Sequence, residues 1–139
     1  MFYGKVNKLD KRVEFNLKLA EERLRASKTL LDSGFIIDSV NRSYYAIFYS
    51  ARALVAKDNL DFSKHSAVMS YFRKNYVKTG IFDIKFSDYI GDAFVLRSDG
   101  DYTYFFNVEK NDAEEQYNNA VEFYETVKNF LENNLSARH

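Results

Sequence analysis

The stretch YYAIFYSARALVA, residues 44–56, decides the fold, because it is apolar on nearly every face of a helix. A helix that is apolar all round has to lie inside a protein, packed on several sides by other elements. The stretch is too short to cross a membrane, and Arg52 interrupts it. It therefore predicts a central, mostly buried helix, which we place at residues 36–57.

The segments on either side of this helix also have helical periodicity. Apolar residues from Leu9 to Leu31 form one stripe, and Gly34 follows it, so the first helix is predicted to end there. Beyond the central helix, Ser63 is a favourable N-cap and Gly80 a favourable C-terminal stop, which predicts a third helix between them. The inner face of this third helix would carry Val68, Phe72 and Tyr76.

The C-terminal part of the chain is predicted to hold two more helices. Apolar residues recur at helical spacing over Phe86–Arg97. The aromatic-rich segment DGDYTYFFNV, Asp99–Val108, has no helical period and is predicted to be an extended connection. Asp112 is followed three residues later by Glu115, which is the capping-box pattern at the start of a last helix.

The composition agrees with a helical protein. Proline is absent and there are five glycines, which favours long uninterrupted helices. Five helices with short connections predict an all-α, up-and-down helical bundle. The length suits one domain, residues 1–139, with one substantial core.

Several classes of protein are excluded by what the sequence lacks. It has no cysteine, no apolar run near the N-terminus typical of a secretory signal, and no apolar stretch of about 20 residues, so we expect a cytoplasmic protein without membrane contact. The two histidines, His65 and His139, cannot supply a metal site by themselves. A phosphate-binding glycine loop is also missing, so we expect no metal and no cofactor.

Charge is distributed unevenly along the chain. Residues 1–80 carry fifteen Lys/Arg and eight Asp/Glu, a balance of +7, while residues 81–139 carry five and twelve, a balance of −7. This asymmetry indicates either a basic surface for a polyanion or acidic partner, or two halves that neutralise each other in the fold.

Within the central helix, Arg42, Tyr45 and Tyr49 are spaced so that they project from one face over about 10 Å. A guanidinium group is always charged and its planar fork suits phosphate, and tyrosine rings beside it can stack on bases. These residues could therefore hold RNA. Alternatively, Arg42 pairs with Asp99 or Asp101 and the tyrosines belong to the core.

Five segments follow one another in a recognisable order and spacing: AEERLRASKTLLDSG (20–34), SVNRSYYAIFYSARALV (39–55), KHSAVMSYFRKNYVKTG (64–80), LRSDGDY (96–102) and DAEEQYNNAVEF (112–123). In these segments the sequence resembles HEPN-domain proteins, of the stand-alone type often encoded beside a minimal nucleotidyltransferase. The resemblance implies a helical bundle that forms a homodimer with its motif helices in a cleft between protomers. It also implies metal-independent endoribonuclease activity in many members, some of them toxins paired with a nucleotidyltransferase antitoxin.

The sequence departs from the family motif at one position. Arg42 takes the place of the motif arginine, but Tyr49 stands where the resemblance implies a histidine. A tyrosine, with a reference pKa near 10, moves protons at neutral pH far less readily than a histidine near 6.5. The motif's further tyrosine is also replaced, by Ala51. We therefore expect weak catalysis or none, with Tyr49 and His65 as the candidates for the missing base.

Other residues in the matching segments are candidates for supporting roles. Arg97 and Tyr102 are candidate RNA- or phosphate-binding residues, together with Arg42 and Tyr45. Asn41 and Asp101 are candidates for orienting them, although Asp101 could instead cap the connection after the fourth helix.

These observations lead to three functional hypotheses. The first is an RNA- or nucleotide-associated dimer that works with a nucleotidyltransferase partner and is catalytically weak or inactive. The second is an active, metal-independent endoribonuclease toxin of a toxin–antitoxin pair. The third is a purely structural module that docks a partner protein.

Overall fold

The computed structural model describes residues 2–101 and 108–137, and side chains over residues 11–97 and 108–134. Within these ranges the chain is all-α, with five α-helices and no strand, as predicted. The helices are α1 (Phe2–Asp32), α2 (Ile36–Lys57), α3 (His65–Phe72), α4 (Lys85–Asp101) and α5 (Lys110–Ala137), with a π-helical segment (Arg73–Val77) directly after α3. None of these helices combines the length and hydrophobicity needed to span a bilayer.

The helix α2 is the centre of the bundle and contacts α1, α3, α4 and α5. The prediction of a buried central helix is confirmed, and its bounds agree with those predicted. Its fully buried apolar residues are Ala46, Ile47, Ala51, Ala53, Leu54 and Val55. The predicted inner face of the third helix is also confirmed, since Val68, Phe72 and Tyr76 are all buried.

Both predicted glycine stops are confirmed by their backbone conformation. Gly34 has φ +86° and Gly80 has φ +82°. Both angles lie in the left-handed region, which residues other than glycine adopt only with strain. At the end of α1, Phe35 N donates to Leu30 O and Gly34 N donates to Leu31 O, which is the Schellman arrangement.

The two predicted N-caps are wrong. Helix α3 begins at His65, because Val68 N closes the first helical hydrogen bond on Lys64 O, and the N-cap is therefore Lys64 rather than Ser63. Helix α5 begins at Lys110, before the predicted Asp112. The Asp112 carboxylate accepts a hydrogen bond from Glu109 N (3.1 Å). Asp112 is therefore the N3 residue of the capping motif, and not its N-cap.

The prediction of an extended segment from Asp99 to Val108 is also wrong at its beginning. Helix α4 continues through Asp101, so residues 99–101 are helical. Aspartate and glycine have low helix propensity, but propensity is a weak preference that the structure of the whole chain overrides. Residues 102–107 of this segment lie outside the described part of the chain.

A carboxylate at the end of α2 holds the following helices in place. The Tyr71 and Tyr76 hydroxyls both donate to Asp58 Oδ2, each at 2.7 Å. Burial, followed by this hydrogen bond, raises the pKa of Tyr71 to about 12. Both tyrosines therefore stay neutral donors, and they fix α3 and the π-helical segment against α2.

Candidate functional site

Hydrogen bonds among three serines, Ser27 on α1 and Ser39 and Ser43 on α2, join the two helices beside the candidate site. A hydrogen bond of 2.7 Å joins the hydroxyls of Ser27 and Ser43, and the Ser39 hydroxyl donates to the Ser27 carbonyl oxygen (2.8 Å). All three serines are fully buried. Arg23 lies one turn before Ser27 on α1, and Arg42 is next to Ser43 on α2, so this packing brings the two arginines to the same region.

Arg23, Arg42, Tyr45 and Tyr49 line one open depression of about 540 Å³, which we call the arginine–tyrosine groove. The Arg23 guanidinium carbon lies 5.6 Å from the centre of the Tyr49 ring, and the Tyr45 and Tyr49 ring centres are 6.2 Å apart. The spacing in the sequence identified the three α2 residues of the groove. It missed Arg23, because no local pattern relates a residue of α1 to this face of α2.

The Arg42 side chain is half-buried and held by a neutral group. Its Nη1 donates to Asn41 Oδ1 at 2.8 Å, which agrees with the supporting role expected of Asn41. An amide orients the guanidinium without neutralising it, and among the described side chains Arg42 forms no ion pair. The alternative pairing with Asp99 or Asp101 involves side chains outside the described residues.

Arg97 lies on the other side of Tyr45. Its guanidinium carbon is 4.7 Å from the centre of the Tyr44 ring and 5.4 Å from that of Tyr45, within the range of cation–π interactions. Its Nε is buried and has no hydrogen-bond partner among the described residues. Tyr45 thus borders both the groove and the Arg97 guanidinium. The candidate residue Tyr102 lies outside the described part of the chain.

His65 packs against the face of α2 that carries Tyr44, Tyr45 and Phe48. Its ring centre lies 4.1 Å from that of Phe48 and 5.6 Å from that of Tyr45, and its Nδ1 is 3.4 Å from the Tyr44 hydroxyl oxygen. Burial lowers the pKa of His65 below its ordinary value of 6.5, and the nearby positive charges of Arg97 and Arg52 lower it further. The imidazole is therefore neutral at neutral pH and can accept a proton.

The ion pairs of the described residues do not neutralise the basic half of the chain with the acidic half. One described ion pair, between Lys128 and Glu21, joins the two halves. Its lysine belongs to the acidic half and its glutamate to the basic half, so the pair does not offset the excess charge of either half. The other described pairs each join residues of the same half. Among the described side chains, the cations of the first half are thus not paired with carboxylates of the second half. Among the described side chains, no group of three His, Asp or Glu residues is arranged to hold a metal ion.

Comparison with known proteins gives consistent matches over most of the chain. A family model described as "HEPN domain" matches residues 13–130. A "UPF0332 protein" of Thermotoga maritima is 32% identical over 127 residues, which cover 91% of this chain and 96% of the relative. The "Putative toxin MJ0142" of Methanocaldococcus jannaschii is 32% identical over 115 residues, covering 83% and 78%. These matches confirm the resemblance drawn from the sequence.

Proposed function

Because the chain belongs to the HEPN domain family, we propose that it is a homodimer that binds single-stranded RNA through the arginine–tyrosine groove. We further propose a nucleotidyltransferase of the antitoxin type as its protein partner, since relatives named as toxins imply a protein that restrains them. In this proposal catalysis is weak or absent, because Tyr49 stands where the family motif has histidine.

One observation carries the RNA-binding proposal: guanidinium groups from two helices meet beside two tyrosine rings in one open groove. Arginine forks suit the phosphates of an RNA backbone, and aromatic rings suit its bases, which each present a flat face. An open groove also fits an extended strand better than a small molecule, because small-molecule sites enclose most of their ligand. The balance of +7 over residues 1–80, which no described ion pair offsets with a carboxylate of the second half, favours the same kind of ligand.

Replacing Arg42 with alanine should weaken RNA binding by about 10-fold or more, because a hydrogen bond to a charged group contributes about 1.5–3 kcal/mol. The dependence of log affinity on log salt should also become shallower by about 0.7, the value for one phosphate contact on a single strand. Fluorescence anisotropy with a labelled RNA oligonucleotide, at about 50 to 200 mM salt, measures both quantities.

Arg25→Ala is the matched control for this experiment. Arg25 is an exposed arginine of α1 two positions from Arg23, so its replacement removes the same charge from a different face of the helix. Equal affinities of the wild type and Arg42→Ala would contradict RNA binding in the groove. If Arg42→Ala also left co-purification with a nucleotidyltransferase unchanged, the purely structural docking role would replace the proposal.

A second candidate function, metal-independent RNA cleavage, is favoured by the position of His65 against the motif helix. When Nδ1–H donates to the Tyr44 oxygen, Nε2 holds the free lone pair and can take the proton of an RNA 2′-hydroxyl. The 2′-oxygen then bonds to phosphorus, the bond from phosphorus to the 5′-oxygen breaks, and that oxygen takes up a proton. Arg42 and Arg97 are the candidates to stabilise the charge that develops on the phosphate.

The products distinguish this second function from binding alone. Purified protein incubated with RNA and EDTA should release fragments that end in 2′,3′-cyclic phosphate and begin with a 5′-hydroxyl. RNA that stays intact while it binds would leave the protein with the binding function only.

A further inference from the structure

A second cavity, of about 290 Å³, lies between α2, α3 and α4, on the far side of His65 from the arginine–tyrosine groove. Met69 and Ile90 give its apolar lining, and the hydroxyls of Ser66 and Ser70 add groups that can donate or accept hydrogen bonds. An apolar cavity with a few polar groups is the usual composition of a small-ligand site. Its volume, at the lower end for such sites, suits one flat ring system.

Gly91 makes room in this cavity. It lies inside α4, where glycine is one of the least favourable residues. A Cβ built at this position would meet Arg73 Nη2 at 3.8 Å, an ordinary contact, and, apart from its chain neighbours and the adjacent backbone of α4, no other described atom within 4 Å. Packing therefore does not require a glycine here, and its effect is to leave open space in the wall of the cavity.

Aromatic rings border the same cavity. Phe94 lines it and is 55% exposed, so part of its ring is open to a ligand. The half-buried His65 ring lines it as well. Rings of this kind offer stacking surfaces to a planar ligand.

The cavity and the groove are separated by one layer of rings. Tyr44 and His65 line the cavity, and Tyr45, which lines the groove, has its ring centre 5.2 Å from that of Tyr44 and 5.6 Å from that of His65. Arg97 lies over Tyr44 and Tyr45 at this boundary. An RNA strand whose phosphates lie in the groove would therefore have its bases next to the cavity.

We propose that this cavity binds a nucleobase of the RNA whose phosphates lie in the arginine–tyrosine groove, an inference that rests on the proposed RNA-binding function. Apolar walls and exposed rings hold the base by stacking, and the serine hydroxyls, which both donate and accept, allow more than one base. Adenine is favoured over uracil, since preferences of this kind follow stacking strength.

Binding of oligo(rA) and of an abasic ribose-phosphate oligomer of the same length tests this proposal. Phe94→Ala, which removes a ring, should weaken oligo(rA) binding by about 5- to 100-fold, and Gly91→Ala, which adds a methyl group to the cavity wall, should weaken it by a smaller factor. Neither change should alter binding of the abasic oligomer by more than about 2-fold, since the phosphate contacts are untouched. Because alanine is the better helix former, Gly91→Ala should melt at the same temperature as the wild type or about 2–4 °C higher.

Val95→Ala is the control for Phe94→Ala, because Val95 is 56% exposed on the same helix and does not line the cavity. Wild-type protein that binds oligo(rA) and the abasic oligomer equally would overturn the base site and leave the groove intact. Wild-type protein that binds neither oligomer would overturn RNA binding in the groove.

Adenosine monophosphate as a third probe distinguishes a base within RNA from a free nucleotide. Binding of the mononucleotide that Phe94→Ala weakens, without any RNA binding, would support the base site and overturn the RNA-binding function. If Phe94→Ala changed the dimer dissociation constant in analytical ultracentrifugation but not oligo(rA) affinity, a second copy of the chain would cover Phe94 and the base site would be overturned.

Discussion

If the protein cleaves RNA, as in the second candidate function, replacing His65 with glutamine should slow the cleavage by about 100- to 10,000-fold, the usual contribution of a general base. Glutamine keeps a planar group of similar size that can hydrogen-bond to the Tyr44 hydroxyl, but it cannot take up a proton. Binding of the abasic ribose-phosphate oligomer should be unchanged within about 2-fold, because the phosphate contacts belong to the groove. Cleavage rates under single-turnover conditions, measured beside RNA affinity, separate the two effects.

Tyr44→Phe is the matched variant for this experiment. It removes the hydroxyl that lies 3.4 Å from His65 Nδ1 and leaves the ring in place. It should lower the rate less than His65→Gln does, because it loosens the orientation of the base without removing it. Cleavage by His65→Gln at the wild-type rate would rule out His65 as the base.

The pH dependence of cleavage gives a further test of the role of His65. A base acts when it is deprotonated, so the rate should rise with pH through the pKa of His65 and level off above it. Burial, Arg97 and Arg52 all lower this pKa from 6.5. Arg97→Met removes one of the positive charges, so the rise should move to higher pH. If the cleavage rate of Arg97→Met rose at the same pH as that of the wild type, the electrostatic coupling of Arg97 and His65 would be contradicted.

Phe123→Ala should lower the free energy of unfolding by about 3–5 kcal/mol, the range for deleting a fully buried phenylalanine ring. Phe123 lies on α5 with 0% exposure, and its ring centre is 5.0 Å from that of Phe72 and 5.9 Å from that of Phe86. The change would leave a cavity among rings from three parts of the chain. Urea denaturation followed by far-UV circular dichroism measures the loss.

Phe15→Ala is the control for this stability experiment, since Phe15 is 60% exposed on α1. Its replacement should change the free energy of unfolding by less than about 0.5 kcal/mol, as for most surface positions. A loss below about 1 kcal/mol for Phe123→Ala would mean that α5 does not pack against α3 and α4 as described.

Helix ends show where the sequence sufficed and where it did not. The bounds of α2 could be predicted because the apolar pattern of the helix and the glycine at position 34 can both be recognised in the local sequence. The starts of α3 and α5 could not, since Ser63 and Asp112 each fit more than one position of a capping motif, and only the backbone hydrogen bonds decide which one is used.

The sequence by itself determined the all-α bundle, the burial of α2, and the presence of tyrosine where the family motif has histidine. Only the tertiary structure placed Arg23 beside Arg42 and His65 against Tyr44 and Phe48. These residues lie on separate helices. Their distances depend on how whole helices pack, which many side-chain contacts set together and no short motif records.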